Sequence, residues 1–127
     1  MRSVIVIFAD EPDFKYMADV YGKFGSVSLQ SSKHLIVEGE WGWFAIEIDP
    51  HLEQEFSDEE RGKIEPTIPK PIYAQLQYSS SSGADLAINL MPATDETMID
   101  NDHGEIRFIG EVRNLISAGI EWQTIKV

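Results

Sequence analysis

The sequence predicts an α+β fold: a single-layer mixed, mainly antiparallel sheet packed with three to four short helices, with residues 1–127 as one domain. Three observations carry this. β-prone runs and helical stripes mix without the steady βαβ alternation that a parallel sheet requires. The chain has 127 residues, a common single-domain size. At 43% hydrophobic residues it can bury a core without help from metal or disulfide.

Each element follows in order. Ser3 to Phe8 is a continuous, mostly β-branched run, which suits a strand buried on both faces. A helix follows, with Asp10 or Glu11 as its cap and Pro12 in its first turn. Asp13 suits the positive end of the helix dipole. Phe14, Met17, Ala18 and Tyr21 form its apolar stripe, and Gly25 is its stop. A meander of Val27–Gln30, His34–Glu38 and Gly42–Asp49 comes next, turning at Ser31-Ser32-Lys33 and Gly39-Glu40. In its third strand Phe44, Ile46 and Ile48 point one way, and Trp43, Ala45 and Glu47 the other.

Ser57-Asp58-Glu59-Glu60 has the capping-box pattern and opens a short helix that ends before Pro66. Residues 65–71 hold three prolines and read as a loop. Ile72–Tyr78 alternates as a half-exposed strand. The serine-rich stretch 78–83 reads as a second, mobile loop. Ala84–Met91 alternates like a strand, but Ser82 with Asp85 makes a capping box and Pro92 a stop, so a helix is preferred. Thr97–Asp100 reads as a strand and Asn101-Asp102-His103-Gly104 as a turn. Ile109, Val112, Leu115 and Ile116 form a helical stripe closed by Gly119, and Ile120–Val127 reads as a closing strand.

Composition narrows the function. With 22 acids against 10 bases the net charge is −12. Such a field repels nucleic-acid phosphates and anionic lipid and favours a basic protein partner. No run approaches the ~20 apolar residues of a membrane span. The apolar run at the start is too short for a signal peptide, so a cytoplasmic location is expected. Cysteine is absent, which removes thiolate catalysis and cysteine-ligated metals. No zinc-helix, nucleophile-elbow, phosphate-loop or dinucleotide motif occurs, so neither a catalytic residue nor a cofactor is assigned.

Two segments hold candidate functional residues. Residues 38–65 carry ten carboxylates against Arg61 and Lys63, interleaved with aromatics. Glu38, Glu40, Trp41, Trp43, Glu47, Asp58, Glu59 and Glu60 are the candidate protein-binding set. Tryptophan anchors interfaces because it buries a large area with few rotatable bonds, and carboxylates around it can pair with a partner's Arg and Lys. The competing reading is a solvated face over ordinary core packing. The second segment is Asp100-Asn101-Asp102-His103-Gly104-Glu105. Asp100, Asp102, His103 and Glu105 are candidate ligands for a hard cation, or His103 a base of a small enzyme. Its spacing does not match a calcium loop, and the competing reading is a turn held by Asn and Asp side chains.

In size, acidity and lack of catalytic motif the chain resembles bacterial immunity proteins, which neutralise a cognate toxin that is often a basic nuclease. The resemblance implies a stoichiometric inhibitor of a basic protein and assigns no individual residue a role. A homodimer paired through an edge strand at Ile120–Val127 is a further alternative.

Overall fold

The computed structural model describes residues 2–101 and 103–124. One antiparallel sheet runs through it. Its strands are β1 (Arg2–Phe8), β2 (Ser26–Ser31), β3 (His34–Gly39), β4 (Gly42–Ile48), β5 (Ile72–Tyr78), β6 (Met98–Asp100) and β7 (Ile106–Phe108). Their spatial order is β2-β3-β4-β5-β1-β6-β7, with every neighbour antiparallel. The helices are α1 (Phe14–Tyr21), α2 (Asp58–Ile64), α3 (Ser81–Leu90) and α4 (Ile109–Ser117), with 3₁₀ segments at Pro50–Glu55 and Trp122–Thr124. The α+β class holds, and so does the helical choice for the Ala84–Met91 region. No described helix is long and apolar enough to cross a membrane.

β1 sits inside the sheet, and Val4 to Phe8 are all buried, as the continuous apolar run predicts. Its alternate residues feed two cores. On one side Val4, Val6 and Phe8 join Leu35, Val37, Phe44, Ile46, Ala74 and Leu76 beneath α1, α3 and α4. On the other, Ile5 and Ile7 join Tyr73 and Met98 beneath Leu52, Phe56, Ile64 and Ile68. Tyr73 is therefore buried where simple alternation expects exposure. The 3₁₀ segment and α2 arch over it, and Phe56 stacks on its ring at 5.0 Å.

Local chemistry sets the helix ends, not always at the residues expected. Asp13 caps α1, its carboxylate accepting from the Lys15 and Tyr16 amides at 3.0 and 3.2 Å. The helix begins at Phe14, so Asp10, Glu11 and Pro12 lie before it. The chain leaves α1 at Gly22. Gly25 instead serves close packing: a β-carbon there would lie 2.5 Å from the Glu38 carbonyl oxygen. The Ser57–Glu60 box forms as read, with reciprocal bonds of 3.2 and 3.0 Å. The serine run is not a loop throughout. Ser80 caps α3, its hydroxyl accepting from the Gly83 amide at 3.1 Å, and Ser81, Ser82 and Gly83 are helical. Asp85, expected to complete a cap with Ser82, instead accepts from the Trp122 indole at 2.8 Å and the Gln123 amide at 3.3 Å.

The C-terminal segment departs most. Gly119 turns α4 off with a φ of +74°, but Ile120–Thr124 forms no strand, because Trp122 is drawn under α3 instead. Ile125–Val127 lie outside the described residues. The sheet edges are β2 and β7, and β7 has no counterpart in the sequence reading.

Candidate functional site

The candidate surface begins with the β3–β4 hairpin. Gly39 pairs with Gly42 across the two turn residues Glu40 and Trp41. The turn is thus one residue later than the Gly39-Glu40 expected. Gly42 takes a φ of +114°, and a β-carbon on it would run into the Ser79 hydroxyl. This register sets Glu38 opposite Trp43, Ile36 opposite Ala45, and His34 opposite Glu47, all on the sheet face turned away from α1, α3 and α4.

The helical cover on that face is incomplete. The second layer, formed by Pro50–Glu55 and α2, packs over β5, β1 and β6. No described element covers the corresponding face of β2, β3 and β4. Glu38 and Glu47 are exposed there, and Trp43, Ile36, His34 and Gln77 are half-buried. Ala45 forms a small buried floor between Trp43 and Glu47. His34 Nδ1 lies 3.5 Å from the Glu47 carboxylate. Where the layer ends, Ser3, Ile5, Leu52, Glu55 and Gln75 line a depression of about 230 Å³.

The eight candidate binding residues therefore divide. Glu38, Trp43 and Glu47 share the open face. Glu40 is exposed in the turn. Trp41 goes the other way: its ring stacks on Phe44 at 5.3 Å, lies against Gly83, and its carbonyl accepts from the Ser80 hydroxyl. It is packing that joins α3 to the hairpin, not part of the open face. Asp58, Glu59 and Glu60 form the first turn of α2, where their charge favours the positive helix end. Glu60 is bound in the capping box, and with Glu55, Phe56, Asp100 and Gly104 it lines a second depression of about 210 Å³. Strand alternation could have placed His34 and Ile36 beside Glu38. Neither belongs to the candidate set read from the sequence, and nothing local announces that Gln77 on β5 lies beside Ala45.

The second candidate segment is a turn with a side-chain hub. Asn101 is buried; its Nδ2 donates to the Trp122 carbonyl at 2.9 Å, and its Oδ1 accepts from the His103 and Glu105 amides at 3.0 and 3.3 Å. Asp100 is buried at the end of β6, His103 is exposed, and Asp102 lies outside the described residues. Glu105 pairs with Arg107 at 2.5 Å, which also reaches Glu111 at 3.5 Å. Among the described residues no three carboxylate or imidazole groups converge as a metal site. A cavity of about 270 Å³, lined by residues 8–12 with Pro92, Ala93, Thr94 and Thr97, has Asp10 and Glu11 as its titratable groups.

No protein-family model, curated protein or solved structure matches this chain.

Proposed function

We propose that the chain is an acidic binding module that inhibits a basic protein by docking it on the open face of β2, β3 and β4. One observation carries the reading: Trp43 stands half-buried on an uncovered sheet face, directly opposite exposed Glu38, with exposed Glu47 further along the same face. An aromatic anchor with a carboxylate beside it suits a cationic surface. The ring supplies desolvated area and the acids supply encounter rate and register. The net charge of −12 extends the same attraction over a longer range at low salt. An immunity-type inhibitor of a basic toxin, acting in the cytoplasm, is the form of this reading that the chain's size and acidity favour.

The test is capture of proteins from lysate by immobilised chain at low and high salt, repeated with a Glu38→Lys/Glu47→Lys double variant. The expected result is a basic protein retained at low salt, released at high salt and missed by the variant. Capture that the variant reproduces in full would remove the open face from the proposal.

A further inference from the structure

Within this proposed binding face, the pair Glu38 and Trp43 specifies more than a positive charge. The two residues are direct cross-strand neighbours on one face, and β-carbons of such pairs lie about 5 Å apart. An indole face with a carboxylate at its rim matches a guanidinium in two ways. The planar cation stacks on the ring, and its fork of N–H donors engages the carboxylate. A lysine ammonium, compact and strongly hydrated, lacks the flat stacking surface.

The chain's own arginines are committed elsewhere. Arg2 lies over the Tyr78 ring at 5.2 Å. Arg61 donates to the Glu53 carbonyl, and Arg107 pairs with Glu105 and Glu111. Arg113 donates to the Ile88 and Met91 carbonyls at 3.1 and 2.7 Å. A guanidinium at Trp43 must come from outside. We infer that Trp43 and Glu38 form a receptor for an arginine side chain of the basic partner, with half-buried Ile36 and buried Ala45 next along the same face. This rests on the open face being the binding surface.

The experiment compares labelled hexa-arginine and hexa-lysine peptides at low ionic strength by fluorescence anisotropy. Wild-type protein binds the arginine peptide roughly five- to tenfold more tightly. The preference disappears in Glu38→Gln and in Trp43→Leu. Glu38 is exposed, so its variant keeps the fold even if the tryptophan variant does not. The preference survives in Asp19→Asn, on the helix that covers the opposite face. Equal affinity for the two peptides in wild type overturns the arginine receptor and leaves the acidic-face reading standing. Binding of neither peptide overturns both. A preference that persists in Glu38→Gln and Trp43→Leu also overturns the receptor.

Discussion

Trp41 and Trp43 stand two residues apart and on opposite sides of the sheet: Trp41 stacks on Phe44 under α3, while Trp43 lies on the uncovered face. Their substitutions should separate stability from binding. Trp41→Ala removes a ring wedged between Phe44 and Gly83 and should cost about 3 kcal/mol. Trp43→Ala should cost about 1 kcal/mol, since it is half-buried on a sheet face that no described helix covers. Urea midpoints of the two variants, with the peptide affinities alongside, check this. The opposite ranking would mean that the two indoles have been assigned to the wrong faces.

The Tyr21 hydroxyl, fully buried, donates to the Ala87 carbonyl at 2.7 Å. Burial pushes its ionisation far above the ordinary phenol value of 10.0, and the nearby Arg113 charge offsets only part of this. Tyr73 and Tyr78 are raised as well, each mainly by burial. Above pH 10 the unfolded chain has released these protons and the native state still holds them, so stability falls as pH rises. Below pH 10 the contribution is fully present. The urea midpoint should be level with respect to these phenols up to that pH and drop beyond it. Tyr21→Phe should flatten the drop by up to about 1.4 kcal/mol per pH unit and cost about 1 kcal/mol at neutral pH. An unchanged alkaline slope in that variant would contradict the assignment.

Ser80 holds two elements with one hydroxyl: it caps α3 and donates to the Trp41 carbonyl. Ser80→Ala should therefore lose about 2 kcal/mol, at the upper end for a cap. Ser82→Ala, exposed within the helix, should change stability by less than about 0.5 kcal/mol. Thermal melts of the pair make the comparison. Equal losses would show that the cap lies elsewhere in the serine run.

Asn101 should prove structural. Asn101→Ala removes the side-chain hydrogen bonds to Trp122, His103 and Glu105 from a buried position and should cost about 2–3 kcal/mol. The signature is faster amide exchange at His103 and Glu105, whose N–H groups lose their acceptor. Protection unchanged at both amides would refute the hub.

Much of the fold was legible because its signals are short-range. The capping box at Ser57 and the strand alternation of Phe44, Ile46 and Ile48 each depend on residues a few positions apart, and both appear as read. The outward turn of Trp43 follows from the same alternation. Reading failed where two local signals competed. Ser80, Ser81 and Ser82 can each cap a helix, and only the position of Trp41 selects Ser80. Ile120–Thr124 has a strand's composition, but Asp85 on α3 supplies the acceptor that draws Trp122 inward.

By itself, the sequence determined the class of fold, the chain's own negative charge and the strand face that carries Trp43, since periodicity and composition are local or additive quantities. Tertiary structure alone decided that Trp41 packs against Phe44 under α3 and that Trp43 stays on the uncovered face. Whether a ring is covered depends on which distant element arrives above it. Here α3 lies over the turn, and the layer carrying Leu52, Phe56 and Ile64 packs over β5, β1 and β6, not over β4.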